Sequence, residues 1–284
     1  MNKPLRGLWF LVAVARLAVA PEYAAGAPLA PADDAACATG PAQPATANAA
    51  SLNELTINLF GRTEFGWAFY QPLAANEIGT ACAAFTPGFA RALAQWQSAH
   101  RVSGAGAMNL ATLNAMKQIW QGRRPFVIAS RRGCPEAPME ETLARAAPSE
   151  SYGGKTILLR AVTLGAYRQM IAVARAERML PPGVHIPVIF SGYRSPTYDA
   201  SRCASQNNCQ GVVRATCSAH RTGNAMDIDF GAAPGFPPDS AADANRLFIS
   251  RTPFYRWMVR NAARFRLVNY AFEPWHWEYV SPGV

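Results

Sequence analysis

Thr222-Gly-Asn-Ala-Met-Asp-Ile-Asp-Phe230 is the stretch on which the fold turns. Gly223 permits a tight turn, and beyond it polar and apolar residues alternate. Asp227 and Asp229 fall on one face and Ile228 and Phe230 on the other, the period of a strand that buries one side. Outward from it, Ile186-Pro-Val-Ile-Phe190 upstream and Trp275–Val280 downstream carry the β-branched and aromatic residues of two more strands. Helical spacing of Leu159, Val162, Ala166, Met170 and Val173 predicts a long helix over Leu158–Leu180, stopped by Pro181-Pro182-Gly183. A further helix is predicted over Met258–Phe265. Helices followed by strands in a mostly antiparallel sheet with flanking helices make the fold class α+β.

Towards the N-terminus the pattern changes to helices only. Ser51 and Glu54 form a capping box for a helix carrying Leu52, Leu55, Leu59 and Phe60. Phe89–His100 has Phe89, Leu93 and Trp96 on one face, and after Gly104-Ala-Gly106 a third helix is capped by Asn109. Between this small three-helix domain (51–135) and the domain at 155–284 lies a connector at 136–154. The arginine pairs on its approach, Arg123/Arg124 and Arg131/Arg132, read as solvated surface. Residues 27–50 are Ala, Pro, Thr and Asp with few large apolar groups, the composition of a disordered linker. Lys3 and Arg6 before the apolar run Gly7–Ala15 make residues 1–26 a signal peptide or, if uncleaved, an N-terminal anchor.

The whole chain has 284 residues, 50% hydrophobic and 16% charged, which excludes general disorder. Lys+Arg 27 against Asp+Glu 18 gives +9, suited to an anionic partner. An export signal removes nucleic acid as that partner and leaves the cell envelope. Cys37, Cys82, Cys134, Cys203, Cys209 and Cys217 contain no CxxC pair, so disulfides of an oxidising compartment, periplasmic or secreted, explain them better than a zinc ribbon. A Cys82–Cys134 bridge is expected.

Of the four histidines, His100 and His185 read as ordinary core or surface residues, while two stand in unusual company. His220 lies in Ser218-Ala-His220-Arg-Thr-Gly223-Asn-Ala225-Met-Asp227, and His276 in Glu273-Pro-Trp-His276-Trp-Glu278-Tyr279. Two imidazoles and a carboxylate are ligands that Zn²⁺ accepts, and three protein ligands leave a fourth position open, the layout of a catalytic site. Glu273, at the mouth of the last strand, would act as general base. Trp275 and Trp277 alternate to the opposite face. Glu278 alternates onto the face of His276, either supporting that ring or lying at the surface as a free carboxylate.

The segments SGYRS (191–195), SAHRTGNAMD (218–227) and EPWHWEY (273–279), in this order, resemble the VanY-type D-alanyl-D-alanine carboxypeptidases of the LAS zinc metallopeptidase group. The resemblance covers about residues 155–281 and implies one zinc per chain, held by His220, Asp227 and His276, with Glu273 as base. It also implies that Arg194 stabilises an oxyanion or a substrate carboxylate, and that Ser218 contacts the scissile dipeptide. Asp199 stands where many relatives carry Gln, and Asp229 is a rival to Asp227 that the motif spacing sets aside. Residues 52–122 resemble the small peptidoglycan-binding domain of bacterial wall hydrolases. The implied function is removal of the terminal D-alanine from peptidoglycan stem peptides. The same ligand set also serves a peptidoglycan endopeptidase, and a non-catalytic zinc-containing wall-binding protein is the third alternative. The implied partner is peptidoglycan, without nucleic acid, and with the membrane only if the N-terminal segment stays uncleaved.

Overall fold

The computed structural model describes residues 33–180, 187–205, 209 and 217–281. The segment expected as signal or anchor, the Pro181-Pro182-Gly183 stop and His185 lie outside the described residues.

The described chain opens with α1 (Asp34–Ala38) and α2 (Ala42–Glu54), in a stretch expected to be a disordered linker. That expectation is corrected by packing rather than by hydrophobicity. Alanine is the strongest helix former, and small side chains let backbones approach. A Cβ at Gly88 would sit 2.6 Å from the Ala36 carbonyl oxygen. Asn48 is fully buried, donating to the Gly106 carbonyl at 2.9 Å and accepting from the Met108 amide at 2.6 Å. A disulfide from Cys37 to Cys82 completes the attachment.

Ser51 does not start a helix, as its capping box suggested, but lies in the last turn of α2, where its hydroxyl accepts from the Trp67 indole at 3.0 Å. Leu52 lies in that turn as well, Leu55 caps its end, and Leu59 and Phe60 fall between the paired strands β1 (Thr56–Asn58) and β2 (Thr63–Phe65). Next come α3 (Gln71–Glu77), α4 (Pro87–Ala99), α5 (Leu110–Gly122) and α6 (Pro125–Ser130). Thr86 caps α4 and Asn109 caps α5, each side chain accepting an amide three residues on. Trp67, Phe89, Leu93, Leu113 and Met116 form the core of this helical lobe.

The second lobe begins with β3 (Ala144–Arg145) paired to β4 (Leu158–Leu159). The two leucines expected to open a long helix are therefore in strand, and α7 runs from Ala161 to Ala176. Then follow β5 (Ile189–Ser191), α8 (Pro196–Ser205), β6 (Ala225–Ile228), α9 (Asp243–Arg251), α10 (Pro253–Asn261), β7 (Leu267–Tyr270) and β8 (Glu273–Tyr279). The helix expected over Met258–Phe265 is the end of α10 followed by a 3-10 turn at Ala262–Phe265. The sheet has the order β5-β6-β8-β7 with every pair antiparallel, so the fold is α+β. Ile228, Phe230, Trp275 and Trp277 enter the core with Tyr167, Met170 and Met258.

The lobes are joined by a buried charge. Arg246 of α9, 1% exposed, pairs with Glu64 of β2, 0% exposed. Its other nitrogens donate to the Tyr70 hydroxyl and the Phe272 carbonyl, both at 2.9 Å, and its guanidinium lies 4.1 Å from the Phe69 ring centroid. Arginine suits this place because its planar fork bonds and stacks at once.

The cysteines pair as Cys37–Cys82, Cys134–Cys217 and Cys203–Cys209. The expected Cys82–Cys134 bridge does not form, because α1 brings Cys37 to Cys82. Cys134 instead ties the chain after α6 to the residue preceding Ser218. Among the described residues no helix is long and apolar enough to cross a membrane.

Candidate metal centre

Strand register does most of the assembly. On the adjacent antiparallel strands β6 and β8, Asp227 and His276 are direct partners. His276 Nδ1 lies 2.9 Å from Asp227 Oδ1. His220 arrives from the 3-10 turn Ala219–Thr222, placing Nε2 at 3.2 Å from Asp227 Oδ2. Gly223 closes that turn at φ 69°, and a Cβ there would press to 3.0 Å from Leu143 Cδ2, so the position calls for glycine twice over. The start of α7 holds the turn from outside, with Arg160 Nε donating to the Thr222 carbonyl at 2.8 Å and its amide to the Gly223 carbonyl at 2.9 Å.

One ligand atom from each of His220, Asp227 and His276 lies within 4.8 Å of the others, and all three residues are buried. His220 Nδ1 faces the Gly192 carbonyl at 2.7 Å. A carbonyl can only accept, so Nδ1 carries the proton and Nε2 keeps its lone pair. Burial lowers the His220 pKa to about 4, with the Arg194 charge adding to it, so this imidazole is neutral near pH 7. For Asp227 burial works in the opposite sense, but the two histidines outweigh it and hold the carboxyl below its usual range. His276 is raised despite its burial, by its bonds to Asp227 and Glu278. Two imidazoles converging on a buried carboxylate fit a zinc ion in both donor type and number.

Glu273 begins β8 and keeps partial exposure. Burial of its carboxyl raises the pKa to about 6, and the neighbouring Asp227 charge raises it further against His276. Asn269 of β7 clamps this end of β8, its amide donating to the carbonyls of Glu273, Pro274 and His276 at 3.4, 3.3 and 2.9 Å. That clamp crosses a register shift between Asn269 and Tyr270, which sets Glu273 opposite Tyr270.

A groove of about 530 Å³ opens over Asp227 and is lined by Arg194, Tyr193, Arg202 and Lys155, with Glu140 and Asp239 also on its wall. Arg194 and Ser218 both turn to Asp199. The Ser218 hydroxyl donates to Asp199 Oδ2, and Arg194 Nε lies 3.5 Å from Asp199 Oδ1. Asp199 is 3% exposed, and burial raises its pKa although Ser218 and Arg194 oppose it. Asp199 is thus the residue that both expected substrate contacts face.

Asp229 accepts from the Gly231 amide at 2.8 Å and takes no part in the ligand cluster. His100 stacks on Trp96 at 4.1 Å, its Nδ1 facing the Trp96 carbonyl. Glu278 is buried at 2% exposure, with Oε1 at 3.3 Å from His276 Nε2. Arg124, expected as solvated surface, is 7% exposed and donates from Nε to Glu278 Oε1 at 2.7 Å. Alternation along the strand had placed Glu278 on the right face; nothing local to Arg124 pointed to a partner so far along the chain.

No family model matches this chain, and no curated protein matches it. Among solved structures it is similar to a variant of the vancomycin resistance D,D-pentapeptidase VanY from the VanB-type resistance cassette, in complex with Zn(II). The sequence identity is 21% and the TM-score 0.29, over 49% of this chain and 78% of that one.

Proposed function

We propose that this chain is a zinc-dependent peptidase that removes the terminal D-alanine from peptidoglycan stem peptides. The observation that carries the reading is the buried His220–Asp227–His276 cluster with Glu273 beside it and an arginine-bearing groove in front. Zinc bound there would supply a Lewis acid and a water of lowered pKa. Glu273, with a pKa near 6, is ionised near neutral pH and able to take a proton from the attacking water. It returns that proton to the leaving amine as the water oxygen bonds to the carbonyl carbon and the C–N bond breaks. Arg194 offers a guanidinium to the developing oxyanion or to the terminal carboxylate of the peptide. Ser218, its hydroxyl donating to Asp199, presents its oxygen lone pairs to the substrate's N–H groups.

Three disulfides support an oxidising compartment, periplasmic or outside the cell, in line with residues 1–26 as an export signal. The helical lobe, residues 51–135 in the sequence division, would serve as a wall-binding module. Mass spectrometry of muropeptides after digestion tests the reading. Loss of one alanine from each pentapeptide is the expected result. Cleavage within or between stem peptides would replace it with the endopeptidase activity, and no cleavage with zinc present would leave a non-catalytic wall-binding protein.

A further inference from the structure

Arg124 belongs to the helical lobe, where it is the N-cap residue of α6, yet its guanidinium serves the sheet of the other lobe. Its Nε donates to Glu278 Oε1 at 2.7 Å, and the amide of Phe126 donates to Glu278 Oε2 at 2.9 Å. Each carboxylate oxygen is therefore fixed from across the lobe junction. Oε1 in turn faces His276 Nε2 at 3.3 Å. A carboxylate oxygen held by N–H donors has only lone pairs to offer, so His276 presents Nε2–H to it and turns Nδ1 towards Asp227. The guanidinium carbon also sits over the Tyr270 ring, 3.9 Å from its centroid, and Tyr270 meets the His276 ring edge-on. Gln121 on α5 holds the far side, accepting from Arg124 Nη1 at 3.1 Å. A carboxylate this deep would be costly without these partners.

We propose that Arg124 is a positioning residue for the metal ligand His276, acting through Glu278, so that the sheet lobe reaches full zinc affinity only with the helical lobe docked against it. This rests on the metal reading above. A metal-ligating histidine depends on the partner of its other nitrogen for both ring orientation and tautomer, and loss of such a partner costs roughly 10–100-fold in metal affinity. Here that partner is itself held by a residue of the preceding lobe.

The test is zinc affinity of the full chain, measured by competition with a chromophoric chelator, for wild type, Arg124→Ala, Arg124→Lys, Glu278→Gln and Arg123→Ala. Arg124→Ala and Glu278→Gln should bind zinc roughly 10–100-fold more weakly. Arg124→Lys keeps the charge without the stacked fork and should fall between them and wild type. Arg123→Ala removes a neighbouring charge that pairs with Glu77 and should match wild type. Nitrogen-15 spectra of the zinc-loaded chains give a second readout, with His276 Nε2–H slow to exchange in wild type and fast in Arg124→Ala. If Arg124→Ala does not fold, by near-ultraviolet circular dichroism, Arg124→Lys decides. Tight zinc in wild type with equal affinity in the folded Arg124 variants overturns the inference and leaves the metal site standing. No zinc in wild type removes both.

Discussion

Asp227 and His276 are register partners on adjacent antiparallel strands, with Oδ1 and Nδ1 2.9 Å apart. Directly opposed side chains on one face of a sheet are neighbours by construction. Two of the three candidate ligands therefore meet without any loop having to place them. The third, His220, is brought in by a turn that only glycine closes without strain.

Glu273→Gln separates metal binding from chemistry. Glutamine keeps the shape and cannot accept the proton, so zinc content should match wild type while hydrolysis falls at least roughly 10²–10⁴-fold. Metal analysis and a rate measurement on one preparation check this. An unchanged rate would take Glu273 out of the base role.

Asp199→Ala releases Ser218 from its acceptor and Arg194 from its ion-pair partner. The expected result is unchanged zinc and a loss of about 10–100-fold in kcat/KM, or about 1.4–2.7 kcal/mol of transition-state stabilisation. Substrates lacking the terminal carboxylate should discriminate less between variant and wild type if Arg194 contacts that group. Equal losses on both substrates would assign Arg194 to the oxyanion instead.

Glu64→Ala leaves buried Arg246 with only the partly exposed Asp243 carboxylate at 3.4 Å, and loss of a buried partner typically costs about 3–5 kcal/mol. Urea unfolding should show a drop of that order. The double variant Glu64→Leu with Arg246→Met, which removes both charges, should recover much of it. A loss below 1 kcal/mol for the single variant (about the median of exposed pairs) would mean that the lobes are held mainly by apolar packing.

Glu150 predicts a pH dependence of stability. Arg168 donates to both of its oxygens, at 2.7 and 2.8 Å, and the Ala147 amide to Oε2 at 2.7 Å. The Arg168 bonds lower its pKa from 4.5 against a smaller desolvation cost. A carboxyl lowered by folding contributes its stability above the unfolded value and loses it as pH falls through the folded one. Arg168 is half exposed, so the contribution is roughly 0.5–1 kcal/mol. Wild type should exceed Glu150→Gln by that amount at pH 6, and the difference should close below the ordinary carboxylate range. A difference that persists at pH 2 would count against the ion pair as its source.

Most of the candidate metal centre was legible in short segments. A turn that places one ligand beside a strand, and a period of two that presents the others on one face, are local properties that need no distant partner. That is why His220, Asp227, His276 and Glu273 could be named from their own neighbourhoods. Local patterns failed where spacing had no local meaning. Leu55, Leu59 and Phe60 fit a helical period but follow the end of α2, in and around the β1–β2 hairpin. The alanine-rich stretch before them lacks apolar bulk and is ordered by Asn48, by close backbone approach and by Cys37.

The amino-acid sequence by itself determined the strand alternation, the helix caps at Asn109 and the residue types that could bind a metal, because each depends on neighbours within a few positions. Only the tertiary structure decided the disulfide partners, the burial of Arg246 against Glu64, the turning of Arg194 and Ser218 to Asp199 and the path from Arg124 through Glu278 to His276. The longest of those contacts join residues 154 and 182 positions apart. A charge so placed is surface or core according to what packs on it, and no spacing along the chain records that.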